Sequence, residues 1–136
     1  MSDATSPPKL RALIVEDCEN DALLLIEYLQ RVPFELTWQR LDTEPALREA
    51  LRQEWDIVFS DYAMPYFNGA RALEVIRDHN PDLPFIFVSG TIGEDTAVAG
   101  MRAGAQDYVM KGNLTRLGPA VHRELADAKA RRERRA

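Results

Sequence analysis

Residues 56–69 read DIVFSDYAMPYFNG. Ile57, Val58 and Phe59 make a short apolar run suited to the interior of a sheet, and it stops at an acid, Asp61. Pro65 then fixes a turn, and Gly69 lets the chain bend sharply into a helix. A negative charge at the end of a buried strand is costly unless something compensates it. The strand end is therefore the first place to look for chemistry.

The same pattern repeats in both directions. LRALIVE (10–16) is an apolar run ending in acid, and DALLLIEYLQR (21–31) carries Leu25, Ile26 and Leu29 at helical spacing. FELTWQRL (34–41) alternates after Pro33 and reads as a half-exposed strand. TEPALREALRQE (43–54) predicts a helix with Thr43 as N-cap and Pro45 in the first turn. The strand at 56–60 is followed by a helix over 70–79, with Leu73 and Ile76 inward. PFIFVSG (84–90) is a strand, EDTAVAGMRAG (94–104) a helix closed by Gly104, and DYVM (107–110) a short strand. The last helix spans 119–136 with Pro119 at its start. Five strands thus alternate strictly with five helices. Strands apolar on both faces fit a parallel sheet between two helical layers. Right-handed crossovers leave few topologies, and the flavodoxin-like order 2-1-3-4-5, an α/β three-layer sandwich of five βα units, is the one expected.

In such sheets ligands sit beyond the carboxyl ends of the strands. Glu16 and Asp17 follow the first strand, Asp61 the third, Ser89 ends the fourth, and Lys111 follows the fifth, which contains Tyr108. Gly90 and Thr91 come just after Ser89. Any one of these alone reads as a turn or cap residue; their joint placement carries the argument. Three close carboxylates repel and raise one another's pKa unless a cation joins them. They are hard oxygen donors, which suits Mg²⁺, with Mn²⁺ as the alternative. With an ammonium and a hydroxyl added, the set suits phosphoryl transfer to a carboxylate, where positioning and charge neutralisation do most of the catalysis.

The bulk properties agree. A chain of 136 residues, 46% hydrophobic and 29% charged, is one domain with one core and an ordinary polar surface. Its net charge of -5 argues against a general nucleic-acid binder. One cysteine, Cys18, excludes an internal disulfide and a multi-cysteine zinc site, and His79 and His122 lie too far apart in sequence to pair. Acidic neighbours disfavour a thiolate at Cys18. Trp38 and Trp55 are read as packing residues. Residues 1–9 read as a polar, disordered tail without signal-peptide character, and 10–136 as the domain with an extended final helix. No stretch is long and apolar enough to insert in a membrane, so a cytoplasmic protein is expected.

LIVED (13–17), DIVFSDYAMPYFNG (56–69), PFIFVSG (84–90) and AGAQDYVMK (103–111) together resemble the receiver domain of two-component response regulators, the CheY-like family, over about residues 10–130. The resemblance implies that Asp61 is the phosphoacceptor and that Glu16 and Asp17 bind Mg²⁺ together with Asp61 and the backbone carbonyl of Ala63. It implies that Ser89 hydrogen-bonds the phosphoryl group, that Lys111 pairs with it, and that Tyr108 swings inward on activation. Ala63 and Thr91 would flank the path of a hydrolytic water. Gly112 departs from the pattern, because the family more often has proline there with a cis bond. A cis bond before a non-proline residue costs about 2.5–4 kcal/mol, so a trans bond or a strained one, with a different loop, is expected after Lys111.

The resemblance implies a response regulator in a two-component or phosphorelay system, and the end of the chain after the fifth helix suggests a stand-alone one. It would take a phosphoryl group from a sensor histidine kinase, of a photoreceptor-type or hybrid kind. It would catalyse only its own phosphorylation and dephosphorylation and then switch the face built from helix 4, strand 5 and helix 5. A phosphotransfer protein, a downstream target and a second copy of the chain are the remaining partners; DNA is not among them. The Arg-rich end, AKARRERRA, suits the helix dipole, and Val121, Leu125 and Ala128 form the apolar stripe of that helix. Three rivals share parts of this pattern. An FMN carrier needs a hydroxyl- and glycine-rich phosphate loop where this chain has the acidic EDCEND (16–21). An aspartyl-phosphate phosphatase usually carries its nucleophile after the first strand and needs a cap domain. A phosphorylation-independent pseudo-receiver would not fill all the catalytic positions.

Overall fold

The apolar run at 57–59 sits in the middle of a five-stranded sheet, hydrogen-bonded on both sides. The computed structural model describes residues 8–31, 33–90 and 94–135. Residues 1–7 of the expected 1–9 tail, and Thr91, lie outside these residues, whereas Lys9, the last residue of that tail, already pairs with Glu35 in the sheet. In chain order the elements are β1 (Lys9–Val15), α1 (Glu19–Leu29), β2 (Glu35–Leu41), α2 (Glu44–Ala50), β3 (Ile57–Ser60) and α3 (Gly69–His79). They continue with β4 (Phe85–Ser89), α4 (Glu94–Arg102), β5 (Asp107–Met110), a 3-10 turn (Lys111–Arg116) and α5 (Leu117–Arg135). The sheet order is β2-β1-β3-β4-β5, and every pairing is parallel. The strict alternation and the 2-1-3-4-5 order are those expected from sequence.

Successive residues of a strand point to opposite faces, and both faces here are apolar. Leu10, Ala12, Ile14, Ile57, Phe59, Ile86 and Val88 pack on one side with Leu25, Ile26 and Leu29 of α1 and Ala120 and Val121 of α5. Leu13, Val15, Val58, Phe85 and Phe87 pack on the other with Leu47 of α2 and Leu73 and Ile76 of α3. Each side has its own core, and the sheet between them is held rigid. Every strand therefore delivers its last residue to a fixed place along one edge.

Local details refine the boundaries. Thr43 caps α2 as expected, its Oγ1 accepting from Ala46 N at 3.3 Å. The helix stops at Ala50, short of Glu54, because the Trp55 indole donates to the Ala50 carbonyl oxygen at 2.8 Å and the chain turns there. Asn68 caps α3, its Oδ1 accepting from Arg71 N at 2.8 Å. Gly104 closes α4 with φ of +115°, the left-handed conformation that glycine tolerates. Pro119 is the third residue of α5 rather than its first, since buried Leu114 and Leu117 carry the helix start back toward β5. Trp55 packs against the core, whereas Trp38 on the edge strand β2 is 40% exposed, so only one of the two tryptophans is the packing residue expected.

Candidate functional site

Asp61 follows β3 and is pinned by backbone and side-chain bonds. Its N–H donates to Val15 O of β1 at 2.9 Å. Its Oδ1 accepts from Tyr62 N at 2.8 Å and from Ser89 Oγ, at the end of β4, at 3.0 Å. Its Oδ2 faces the Lys111 ammonium at 3.3 Å. The residue is 8% exposed, so the carboxylate stands at the mouth of the core and not in bulk water.

The turn after β1 supplies the other acids. Glu16 is held by its N–H donating to Leu41 O at 3.0 Å and by Arg40 donating to its carbonyl oxygen at 3.1 Å. Its side chain is buried, with Oε2 accepting from Cys18 N at 3.1 Å and Oε1 at 2.8 Å from Lys111 Nζ. Burial pushes the Glu16 carboxyl up to about 7; the bonds from Lys111 and Cys18 N pull it down, and the nearby Asp61 charge pushes it up again. Asp17 is exposed beside it. Carboxylate oxygens of Glu16, Asp17 and Asp61 lie within 4.8 Å of one another. Three hard anionic donors at that spacing, one of them displaced toward its protonated form, fit a small divalent cation such as Mg²⁺.

Lys111 follows β5 and reaches back across the strand ends, one-fifth exposed. Burial alone would lower its pKa. Bonds to Asp21 and Glu16 and the charges of Glu16 and Asp61 outweigh that, so the ammonium is held above its ordinary range. Asp21, in the first turn of α1, makes the shortest of its contacts, 2.7 Å from Oδ2 to Nζ. Sequence reasoning missed this residue. No local pattern signals it, because its partner lies ninety residues further along the chain.

Tyr108 is half-buried against the core, and its hydroxyl donates to Met110 Sδ at 2.8 Å. Burial raises its pKa. Ala63 lies exposed on the loop two residues beyond Asp61. The Lys111–Gly112 bond is trans, as are all peptide bonds among the described residues. The chain enters the 3-10 turn there, with Asn113 in a non-helical conformation (φ −139°, ψ 53°). A Cβ at Gly112 would meet nothing within 4 Å, so neither strain nor close approach demands the glycine. Cys18 is exposed and supplies no side-chain cap to α1. In sum, Glu16, Asp17, Asp61, Ser89 and Lys111 share one cleft, and Tyr108 stands on β5 just before it.

Comparison with known proteins gives this cleft a family. Residues 12–121 match the model of the response regulator receiver domain. The transcriptional regulatory protein RprY of Bacteroides fragilis is 32% identical over 103 residues, covering 76% of this chain and 43% of that protein. The transcriptional regulatory protein PrrA of Mycobacterium tuberculosis is 35% identical over 108 residues, covering 79% of this chain and 44% of that protein. The chain thus spans less than half the length of these curated relatives. Among solved structures, the signal receiver domain of a Luxo repressor protein from Vibrio parahaemolyticus superposes with a TM-score of 0.80 at 25% identity, covering 94% of this chain and 98% of that one. NtrX from Brucella abortus gives 0.79 at 27% identity, covering 92% and 29%. The chain belongs to the response regulator receiver domain family, and its acidic cluster is that of a phosphorylation-competent receiver.

Proposed function

We propose that Asp61 accepts a phosphoryl group from a phosphohistidine of a sensor kinase or phosphotransfer protein, and that the modification switches the surface formed by α4, β5 and α5. The observation that carries this reading is the environment of Asp61. It is a buried carboxylate at a strand end, with one oxygen tethered by Ser89 and Tyr62 N and the other facing an ammonium.

A carboxylate oxygen of Asp61 attacks phosphorus, the P–O bond forms, and the P–N bond to imidazole breaks with its electron pair leaving on nitrogen. Glu16, Asp17 and Asp61, with the Ala63 carbonyl, would hold Mg²⁺, which when bound neutralises phosphoryl charge and orients its oxygens. Lys111 supplies a second positive charge on the same side as Asp61 Oδ2. The tether from Tyr62 N and Ser89 holds Oδ1 and keeps the carboxylate from rotating, so Oδ2 stays on the Lys111 side of the cleft. After transfer Ser89 exchanges its bond from Asp61 Oδ1 to a phosphoryl oxygen and draws the end of β4 inward. Tyr108 gives up its bond to Met110 and rotates toward the space so opened. New charge-assisted bonds bias a two-state element.

The chain acts on itself and turns over no free substrate. No described helix is long and apolar enough to cross a membrane; a cytoplasmic site of action is part of the proposal. A photoreceptor-type or hybrid kinase as donor, a second copy as partner, and output through protein contacts rather than DNA belong to the same reading. The test is intact mass after incubation with Mg²⁺ and acetyl phosphate. A gain of one phosphate that disappears in Asp61→Asn supports the assignment; no gain, or a gain retained by that variant, refutes it.

A further inference from the structure

An ammonium has three protons, and Lys111 has three carboxylate partners for them: Asp21 Oδ2 at 2.7 Å, Glu16 Oε1 at 2.8 Å and Asp61 Oδ2 at 3.3 Å. The shortest contact runs to α1 and the longest to the proposed phosphoacceptor. The three partners differ in what it costs to release them. The side chains of Glu16 and Asp61 are 6% and 9% exposed, so water cannot replace the amine there cheaply. The Asp21 side chain is 41% exposed and is readily rehydrated. Its backbone is nevertheless fixed, because Ala22, Leu25, Ile26 and Leu29 bury the inner face of the same helix.

Asp21 also stands apart from the metal cluster. Among the described residues, the group able to hold an ion is Glu16, Asp17 and Asp61, without Asp21. Its partner in the structure is the ammonium. Resting on the reading of Asp61 as phosphoacceptor, we propose that Asp21 is a positioning residue: it holds Lys111 toward α1 in the unphosphorylated chain and competes with the phosphoryl group for it. Bonding of Asp61 Oδ2 to phosphorus gives up its 3.3 Å contact with Lys111, and the phosphoryl oxygens that take its place carry more negative charge than the carboxylate oxygen they replace. They either displace Asp21 from the amine, with loss of the Asp21–Lys111 bond, or lie beside it on one nitrogen against stronger like-charge repulsion. Both routes lower the affinity of the pocket for phosphoryl oxygens, so the affinity is set by a residue that touches neither the metal cluster nor the phosphorus.

The test is calorimetric titration of beryllofluoride, a phosphoryl mimic, into the whole chain at saturating Mg²⁺. A part-exposed ion pair of this kind corresponds to about a two- to fivefold change in binding, so Asp21→Asn is expected to bind beryllofluoride tighter by that factor. Asp21→Ser should do the same, which guards against a folding defect peculiar to one variant. Asp21→Glu restores the competing charge and should return toward the wild-type value. Glu19→Gln removes an equal charge from the same helical turn, which carries Glu19 and Asp21 as its acids, and should change binding by less than about twofold. Unchanged or weaker binding in Asp21→Asn and Asp21→Ser, or equal tightening in Glu19→Gln, overturns the competition. A wild-type chain that neither binds beryllofluoride nor takes phosphate on Asp61 overturns the underlying reading as well. A wild type that does both, with Asp21 variants indistinguishable from it, removes only the role of Asp21.

Discussion

Gly69 packs so closely on Asp61 that a Cβ at position 69 would stand 2.5 Å from the Asp61 carbonyl oxygen. It would also lie 2.7 Å from Phe87 Cε1 and 2.8 Å from Tyr62 Cα. Gly69 N–H donates to Tyr62 O at 2.8 Å, which ties the start of α3 to the loop after β3. The glycine is thus required for close approach to the backbone that carries the acceptor, and its φ is not in the left-handed region that the expected sharp bend would use. Gly69→Ala is expected to destabilise the fold by about 3 kcal/mol, since two of the three clashing atoms are backbone. Gly100→Ala meets only the Phe87 ring, first at 2.8 Å, and gains about 1 kcal/mol of helix propensity. It should cost less than about 1 kcal/mol. Urea denaturation of the two variants checks the ranking; a Gly69→Ala chain as stable as the parent would contradict the packing.

Lys111 occupies two of the three carboxylates that a divalent ion needs, Glu16 and Asp61. Removing its charge with Lys111→Met should raise Mg²⁺ affinity, by about three- to tenfold, because the competing cation is gone. Phosphate uptake from acetyl phosphate should fall in the same variant. Calorimetry with Mg²⁺ and intact mass read the two effects separately. Weaker Mg²⁺ binding would mean that the ammonium organises the acids and does not compete for them.

Without divalent ions, stability should decline with pH through the Glu16 titration. The folded pKa, about 7, lies above the ordinary 4.5, so between these values the native chain holds a proton that the unfolded chain has lost. The contribution is complete below about 4.5 and disappears as pH rises through about 7. Glu16→Gln lacks this titration. Its stability relative to the parent should improve from pH 4.5 to pH 8 by on the order of 2–3 kcal/mol. Urea midpoints at several pH values, taken in a chelator, measure the difference; parallel curves for the two chains would contradict it.

The far end of α5 is anchored on a buried acid. Asp82, 7% exposed in the loop before β4, has Arg131 Nε 3.8 Å from Oδ1 and Arg135 3.2 Å from Oδ2, while Arg131 also donates to its carbonyl oxygen at 3.2 Å. Arg131 is about a quarter exposed and Arg135 more than half. Arg131→Ala should therefore cost about 1–2 kcal/mol, and Arg135→Ala less than about 0.5 kcal/mol. Adding Asp82→Asn to the first variant should recover part of the loss, because the buried carboxylate that Arg131→Ala leaves with only the exposed Arg135 is then neutral. Thermal unfolding of the three chains decides the matter.

The site was legible because each of its main residues marks the end of a strand. Asp61, Glu16 and Lys111 each terminate an apolar run, and a parallel sheet brings such ends to one edge whatever the helices between them do. Other features depend on contacts made across the chain. Asp21 gains its role from Lys111, ninety residues away, and no local pattern announces that pairing. Trp55 ends α2 by capturing a carbonyl, although the helical periodicity runs on toward Glu54. The need for glycine at 69 comes from Phe87 and the backbone of Asp61 and Tyr62, which a one-dimensional reading takes for a bend. The stretch 111–116 has the polar, glycine-containing composition of a loop, yet buried Leu114 draws it into a 3-10 turn.

Because all neighbouring strands run the same way, no two of them can zip together as a hairpin during folding. Ala12 must find Ile57, and Val58 must find Phe85, before the central ladder exists. Each such meeting closes a long loop of unfolded chain, whose entropy is spent before the contacts reward it. The middle of the sheet, where two ladders lock each strand, should hold its amide protons longest against exchange with deuterium. The edge strands β2 and β5, each paired on one side only, should surrender them first.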